Sequence, residues 1–328
     1  MTKVAINGLG RIGRCTLKVL LDTPEMQLVA ANDLVPVDNL AYLLRYDTVY
    51  GRYGKDVQAQ DGNLIIEGTA CPVFNEKNPE DLPWKELGVD VVFECTGVFT
   101  KEEDLKRHLQ AGAGRVILSA PAKSDGVPTV VHGVNRADGE VQTVSCASCT
   151  TNCITPVMEV LERRVGVEKA TMTTIHAYTS TQAIVDGPSK KFRRGRAAAA
   201  NFVPTTTGAA QATAKALPAL EGKFDGVAVR APVPVGSIAD IVCLTRRNTS
   251  TKELKQIFRE EAETDRYQGV LGVSDEPIVS SDIIGDARAS IVDLDMIQVV
   301  DGNLVKLMSW YDNEWGYANQ LVRLVAVL

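Results

Sequence analysis

The stretch Lys3-Val4-Ala5-Ile6-Asn7-Gly8-Leu9-Gly10-Arg11-Ile12-Gly13-Arg14 decides the fold of the first half of the chain. Its first five residues predict a short apolar strand, and a helical pattern then runs to about Leu21. Glycines 8, 10 and 13 have the G-x-G-x-x-G spacing. In such a turn the glycines allow a tight bend, a close approach of the backbone to a pyrophosphate, and close packing of helix on strand. The N-terminus of the helix attracts phosphate charge. The stretch therefore predicts a dinucleotide site.

The second predicted strand, Gln27–Asn32, is followed by Asp33, 20 residues after Gly13. A carboxylate at this position can accept hydrogen bonds from the ribose hydroxyls of an adenosine, and it repels a 2′-phosphate. Asp33 therefore favours NAD over NADP as the cofactor. The alternative is an ordinary acidic residue in a turn.

The rest of the first half alternates strands with helices. Val89–Thr96 and Arg115–Ala120 are predicted strands that end in small polar residues, and Lys101–Gly112 between them is a predicted helix. This alternation is typical of a Rossmann-type α/β fold, a doubly wound parallel sheet that binds its ligand at the carboxyl ends of the strands. We expect this domain to span residues 1–148.

Cys149 is the candidate nucleophile. It lies in Ser148-Cys149-Thr150-Thr151-Asn152-Cys153, just before an amphipathic helix predicted over Ile154–Val165, with Pro156 in its first turn. A helix N-terminus stabilises a thiolate, so we expect a lowered pKa for this thiol. His176, at the end of a predicted strand, can accept a proton from it. Alone, each residue is more often structural, but the pair behind a dinucleotide domain indicates a nucleophile and its base.

A basic run, residues 190–196, and the stretch Pro204–Ala210 follow the histidine. The basic run is either a solvated or subunit-contact loop, or a source of one arginine that binds phosphate. From Gly226 onward the apolar pattern alternates with period two, which predicts strands. We expect an α+β catalytic domain over residues 149–313 with a mainly antiparallel sheet, and a C-terminal helix within 314–328 that docks back on the first domain.

Composition limits the functional classes. The 328 residues are 45% hydrophobic and 23% charged, as in ordinary globular proteins, and the net charge of −6 argues against a dedicated nucleic-acid partner. No apolar run is long enough to predict a membrane span, and no secretory signal is visible. Seven cysteines without a signal peptide indicate reduced thiols and a cytoplasmic protein, and no spacing among them predicts a metal site.

Taken together, the motifs closely resemble those of the phosphorylating glyceraldehyde-3-phosphate dehydrogenases, over practically the whole chain. The motifs that carry the resemblance are Ile6–Arg14, Ala147–Cys153, Pro204–Ala210 and Trp310-Tyr311-Asp312-Asn313-Glu314. The resemblance implies oxidation of D-glyceraldehyde 3-phosphate with NAD and inorganic phosphate to 1,3-bisphosphoglycerate, through a thioester on the cysteine. It also implies a homotetramer.

The resemblance assigns roles to residues of this sequence. Cys149 is the nucleophile and His176 its base. NAD would be bound by Gly8, Gly10, Arg11, Ile12, Gly13, Asp33, Lys77, Thr96, Ser119, Asn313 and Tyr317, with Asn313 at the nicotinamide carboxamide; Pro188 also looks like the NAD-using members. Thr179 and Arg230 would hold the phosphate of the substrate, and Ser148, Thr150, Arg194, Thr207 and Gly208 the attacking inorganic phosphate.

Three positions depart from the family pattern. Cys146 stands where Asn is usual, Leu9 where Phe is common, and Ser180-Thr181 where Asn-Asp is more usual. A thiol three residues before the nucleophile leads us to expect easier oxidative inactivation by peroxide than in a Cys146→Asn variant. The other two departures look like tolerated variation.

Several alternatives stay open at this point. A related enzyme acting on erythrose 4-phosphate, or the same reaction with arsenate in a detoxification setting, fits the same motifs. From another class, the chain could be an RNA-binding or scaffold form that has kept the fold, but such a form need not retain the cysteine–histidine pair.

Overall fold

A computed structural model describes all 328 residues of the chain. The chain forms two compact units, each with its own sheet and core. The first unit holds Met1–Val130, Arg136–Ala147 and Leu321–Leu328, and the second holds Val131–Asn135 and Ser148–Gln320. The predicted division at residue 148 and the docking of the C-terminal helix stay proposals.

The first unit is built on an eight-stranded sheet. The unit also contains a separate two-stranded hairpin. The strands of the unit are β1 (Thr2–Asn7), β2 (Met26–Asn32), β3 (Tyr46–Asp47), β4 (Gly51–Arg52), β5 (Val57–Gln60), β6 (Asn63–Ile66), β7 (Thr69–Phe74), β8 (Val91–Glu94), β9 (Arg115–Leu118) and β10 (Thr143–Ser145). The order is β10-β9-β8-β1-β2-β7-β6-β5, and β3 pairs with β4. All neighbours from β10 to β7 are parallel, and β5, β6 and β7 are joined as antiparallel neighbours.

Four helices belong to the first unit: α1 (Arg11–Leu21), α2 (Val37–Arg45), α3 (Trp84–Leu87) and α4 (Glu102–Gln110). The first turn of α4 carries Glu102, Glu103 and Asp104, which favour a helix start because they oppose the positive end of the helix dipole. Central strand β1 is apolar and buried from Val4 onward, as expected for a parallel strand covered on both faces.

The second unit contains a seven-stranded sheet. Its strands are β11 (Val167–Ala177), β12 (Val203–Thr206), β13 (Phe224–Ala231), β14 (Ser237–Thr245), β15 (Leu271–Ser274), β16 (Ser290–Val300) and β17 (Leu304–Tyr311). Their order is β12-β13-β11-β14-β17-β16-β15. Four neighbouring pairs are antiparallel, while β11–β13 and β15–β16 are parallel. The predicted fold class, a Rossmann sheet plus a mainly antiparallel one, is confirmed.

The remaining helices are α5 (Cys149–Arg164), α6 (Ala209–Ala216), α7 (Thr251–Ala262) and α8 (Trp315–Arg323). Helix α5 is the centre of the second core, with every residue from Thr150 to Leu161 buried. The predicted start of this helix at Ile154 is wrong. Ser148 caps the helix, so it begins at Cys149, and Pro156 lies in its interior, where it removes one backbone hydrogen bond.

No helix is both long and apolar enough to cross a bilayer. None of the seven cysteines forms a disulfide, and no group of three or more His, Cys, Asp or Glu side chains is placed to hold a metal ion.

Candidate active site

The glycine turn of the first unit has the geometry that its spacing predicts. Gly8 has φ +92°, and a Cβ on it would lie 2.8 Å from the backbone of Thr96. A Cβ on Gly13 would lie 1.9 Å from the carbonyl oxygen of Gly8, so only glycine allows helix α1 to pack this closely on the turn. A Cβ on Gly10 would meet nothing within 4 Å. The protein thus leaves space beside Gly10, where α1 begins without a side-chain cap. Uncapped N–H groups beside open space suit a pyrophosphate.

One pocket of the first unit unites five of the residues expected at NAD: Gly8, Gly10, Asp33, Lys77 and Thr96. Asp33 is held in this pocket by two backbone donors, the N–H of Leu9 at 2.6 Å and the N–H of Val35 at 2.9 Å. A fixed carboxylate suits ribose hydroxyls better than a second phosphate. The residues present therefore fit a dinucleotide with an unphosphorylated adenosine ribose.

Other residues expected at NAD lie outside this pocket. The guanidinium of Arg11 is paired with Asp47 at 2.5 Å, and its backbone N–H belongs to the first turn of α1, the end of a helix that attracts phosphate. Ser119 follows β9, and its N–H is bonded to the carbonyl oxygen of Glu94. Asn313 and Tyr317 belong to the second unit. The amide oxygen of Asn313 accepts hydrogen bonds from Gly236 N at 3.2 Å and Ser237 Oγ at 2.9 Å.

A buried polar network under the pocket was not predicted from the sequence. Glu94 is fully buried. Its carboxyl group accepts hydrogen bonds from Asn7 at 2.6 Å, from both the backbone and the hydroxyl of Thr96, and from His108 at 3.1 Å. His108 in turn accepts the indole N–H of Trp84 at 3.0 Å. Four donors compensate the buried charge. The network fixes the ends of β1 and β8, from which the glycine turn and Thr96 start.

The second unit brings the predicted nucleophile and base together. Sγ of Cys149 lies 3.4 Å from Nε2 of His176, at the start of α5 and near the end of β11 respectively. The Oγ of Ser148 accepts the N–H of Thr151 at 3.2 Å and so fixes the first turn of the helix. Ala147 before it has φ +54°, a left-handed conformation that is costly for alanine and is typical of turns that deliver a functional residue.

Two groups with opposite hydrogen-bonding roles lie beside Nδ1 of His176. Nδ1 lies 2.7 Å from the carbonyl oxygen of Ala177, which can only accept. Nη1 of Arg230, which can only donate, lies 2.9 Å from Nδ1 and 3.0 Å from the same carbonyl oxygen. The carbonyl oxygen can accept from both groups, whereas an unprotonated Nδ1 at 2.7 Å would repel it, so we assign the proton to Nδ1 and the hydrogen bond of Arg230 to the carbonyl. The lone pair of Nε2 then faces the Cys149 thiol. This is the tautomer that a proton acceptor requires.

Burial, reinforced by the cation of Arg230, lowers the pKa of His176 to about 3, so the imidazole is neutral and able to accept a proton. Burial also raises the pKa of the Cys149 thiol, although Arg230 and the N–H of Thr150 act in the opposite direction. The sequence-based expectation of a lowered thiol pKa is therefore wrong, because desolvation outweighs the helix dipole. A thiol that keeps its proton can be activated by transferring it to His176, whose Nε2 lies 3.4 Å away.

Thr150, expected at inorganic phosphate, has a buried hydroxyl that already forms a hydrogen bond within the second unit. It lies 2.9 Å from the hydroxyl of Tyr311, which is also 2.8 Å from that of Thr174. The Tyr311 ring contacts His176 edge to face, with centroids 5.9 Å apart. Tyr311 thus supports both members of the reactive pair. It stands in the quoted family motif, but nothing in the sequence alone assigned it a role.

Two arginines expected at the phosphates, Arg194 and Arg230, have no carboxylate beside them to balance their charge. Arg194 donates to the hydroxyls of Thr205 at 3.1 Å and Thr181 at 3.3 Å, while Arg230 donates to Ala177; neither forms an ion pair with a carboxylate. The Nε of Arg230 is buried and has no acceptor. Buried donors without acceptors are rare in folded proteins. This arrangement calls for an anion.

The other two residues expected at inorganic phosphate lie at the start of α6. The N–H of Ala209 donates to the hydroxyl of Thr207 at 3.2 Å, and Gly208 caps the helix with no side chain.

Cys146, whose thiol raised the question of peroxide sensitivity, is fully buried. A buried thiol is not readily oxidised, so the premise of that expectation is removed.

Comparisons with known proteins agree with the two-unit description. Residues 2–102 match the NAD-binding domain model of glyceraldehyde 3-phosphate dehydrogenase, and residues 148–313 match the model of its C-terminal domain. The chain is 47% identical over 326 residues to glyceraldehyde-3-phosphate dehydrogenase 2 of Streptomyces avermitilis, which covers 98% of this chain and 97% of the relative. It is 46% identical over 330 residues to the enzyme of Clostridium pasteurianum (98% and 97% covered), and 45% identical over 329 residues to that of Geobacillus stearothermophilus (99% and 98% covered).

Proposed function

Because the chain belongs to the glyceraldehyde 3-phosphate dehydrogenase family, we propose that it oxidises and phosphorylates D-glyceraldehyde 3-phosphate with NAD, through a thioester on Cys149. The single observation that carries this proposal is the contact of 3.4 Å between the Cys149 thiol and a neutral His176. A nucleophile with its base is what covalent capture of an aldehyde needs. The uncompensated arginines supply the charge that a phosphorylated substrate and inorganic phosphate require.

The proposed reaction begins when the sulfur of Cys149 attacks the aldehyde carbon. His176 takes the thiol proton at Nε2 and returns it to the carbonyl oxygen, which gives a hemithioacetal. When NAD is bound, it provides the acceptor for the hydride that leaves this carbon. His176 takes the hydroxyl proton in the same step, and a thioester remains on Cys149.

An oxygen of inorganic phosphate then attacks the thioester carbon, the carbon–sulfur bond breaks, and the acyl phosphate leaves while Cys149 regains its proton. In this proposal Thr179 and Arg230 hold the phosphate of the substrate, and Ser148, Thr150, Arg194, Thr207 and Gly208 hold the attacking phosphate. Placing these groups together converts bimolecular steps into effectively unimolecular ones.

The deciding experiment follows NADH formation from glyceraldehyde 3-phosphate with and without phosphate, for the natural chain and for Cys149→Ser. We expect multiple turnovers only with phosphate or arsenate, and none from the variant. Turnover that does not depend on an oxyanion, or that survives the substitution, would overturn the mechanism. Parallel kcat/KM measurements on erythrose 4-phosphate show which aldehyde is preferred.

We further propose a homotetramer in the cytoplasm. Two sets of exposed apolar side chains in the second unit support the assembly: Ile184, Val185, Phe192 and Phe202 in one segment, and Met296, Val300 and Leu304 on the hairpin of β16 and β17. A tetramer with dihedral symmetry needs more than one self-complementary surface. Seven cysteines without a disulfide support a reducing compartment.

A further inference from the structure

Thr181 lies between residues that the proposed function assigns to different phosphates. Its hydroxyl oxygen is 2.8 Å from the hydroxyl oxygen of Thr179, which is assigned to the phosphate of the substrate. The same oxygen is 3.3 Å from Nη1 of Arg194, which is assigned to the attacking phosphate. Thr181 itself is exposed. One hydroxyl therefore connects the two sites.

The chemistry of the three groups fixes the direction of their hydrogen bonds. A guanidinium can only donate, so Thr181 must accept from Arg194. A hydroxyl that accepts one bond still has its own proton, and Thr181 can direct this proton to the oxygen of Thr179. The proton of Thr179 is then left without a partner among these groups. It is free to point at a phosphate oxygen.

The turn that carries Thr179 is held in place by Gln182. The N–H of Gln182 donates to the carbonyl oxygen of Thr179 at 2.9 Å, and its side-chain oxygen lies 3.4 Å from the N–H of Thr179. The side-chain nitrogen of Gln182 is buried and has no acceptor. This turn therefore contains surplus donors and no carboxylate, as an anion site requires.

We propose that Thr181 is a positioning residue that serves both phosphate sites. The Thr181 hydroxyl accepts a hydrogen bond from Arg194 and so fixes the position of that guanidinium. It donates its own proton to the Thr179 hydroxyl, which leaves the proton of Thr179 directed at the phosphate of the substrate. This inference rests on the proposed function, because it takes the two site assignments from there. The new element is that Thr181, which contacts neither Cys149 nor His176, affects the affinity for both the phosphate of the substrate and inorganic phosphate.

The test is Thr181→Val, which keeps the shape of the side chain and removes the hydroxyl. We expect the KM for inorganic phosphate to rise roughly tenfold, which is the order expected for one lost hydrogen bond near an anion. The preference for glyceraldehyde 3-phosphate over unphosphorylated glyceraldehyde, measured as a ratio of kcat/KM, should fall by a similar factor. The kcat with glyceraldehyde should stay within about twofold.

Two further variants separate positioning from general damage. Thr181→Ser retains a hydroxyl and should restore both quantities. Thr205→Val removes a partner of Arg194 that has no contact with Thr179; it should raise the KM for phosphate and leave the preference for the phosphorylated aldehyde unchanged. Equal values for the Val and Ser variants at position 181 would refute this inference alone. Failure of the natural chain to oxidise glyceraldehyde 3-phosphate would refute the proposed function instead.

Discussion

At the scale of single residues, the proposed reactive pair combines a partly buried cysteine, Cys149, with a histidine that burial keeps neutral. Burial acts on both partners in the direction that removes charge, since it raises the pKa of Cys149 and lowers that of His176. The Ala177 carbonyl accepts the proton of Nδ1, which leaves the lone pair of Nε2 directed at the sulfur. In the proposed mechanism, Cys149 therefore transfers its proton to His176 during the attack on the aldehyde.

Replacing His176 by Asn tests this description. The amide side chain cannot take the thiol proton, so we expect kcat to fall about 10²–10⁴-fold. Because the thiol has a raised pKa, its thiolate becomes more abundant as the pH rises. The remaining rate of the variant should therefore increase from about pH 7 to about pH 9 more steeply than that of the natural chain. A variant rate that does not depend on pH would contradict activation by proton transfer, and rates of Cys149 alkylation by iodoacetamide provide a check that is independent of NAD.

The chemistry of individual residues could be predicted from the sequence further than their environment could. The residue types and spacing pointed to Cys149, His176 and Asp33. The pKa of Cys149 could not be predicted, because it depends on how completely distant segments exclude water. The contact of Tyr311 with Thr150 and Thr174 likewise joins residues more than a hundred positions apart.

At the scale of elements, helices α5 and α7 are joined by a network of acids and arginines. Glu261 accepts hydrogen bonds from Arg163 at 2.6 Å and Arg164 at 2.6 Å. Glu159 on α5 bonds to Arg163, Arg266 and Tyr267. The hydrogen bond from Arg163 lowers the pKa of Glu261; burial alone would raise that of Glu159, but its donors hold the pKa below the ordinary value.

Glu261→Gln should reduce the free energy of unfolding at neutral pH by about 1–3 kcal/mol, since two arginines lose their charged acceptor. A carboxyl whose pKa is lowered by folding stabilises the protein above its ordinary pKa of 4.5, and this stabilisation disappears as the pH falls through the lowered value. The difference between the two proteins should therefore shrink in acid. Urea titrations at several pH values measure it. Glu260→Gln is the matched control: its half-exposed carboxylate contacts Arg164 alone among the arginines, so little change is expected.

The bounds of helices and strands with a clear apolar period could be predicted closely from the sequence, whereas the bounds of those fixed by tertiary contacts could not. Strand β1 and helix α1 follow the glycine motif almost residue for residue. The start of α5 was placed too late because its first turn is polar and shows no apolar period, although the buried environment supports it. The antiparallel strands β5 and β6 were missed, since each has only 4 residues, too few for an alternating apolar pattern to stand out.

At the scale of the whole molecule, the exposed apolar segment should determine the assembly. Phe192 is 90% and Phe202 is 71% exposed in the single chain, and monomers rarely leave such a group of large apolar side chains in water. We expect the natural chain to have the mass of a tetramer in light scattering. The double substitution Phe192→Asp with Phe202→Asp should yield smaller species, because charge at a closed apolar contact is not solvated. Phe192→Leu should keep the tetramer, and a natural chain that stays monomeric at micromolar concentration would rule out the assembly.

The change of pattern along the sequence, from strands alternating with helices to strands of period two, predicts two domains, and their division at residue 148 stays a prediction. The parallel neighbours β11–β13 and β15–β16 inside the second sheet could not be predicted, because strand order is decided by connections that local patterns do not encode.

The buried partnership of Trp84 with His108 gives the molecule an optical consequence. Of the three tryptophans, Trp84 alone belongs to the first unit, and its indole is enclosed and hydrogen-bonded. Substituting phenylalanine at positions 310 and 315 leaves one emitter, whose fluorescence maximum reports whether water has entered beneath the glycine turn. Unfolding of the first unit can then be followed separately from changes around Cys149 in the second unit, without attaching a dye.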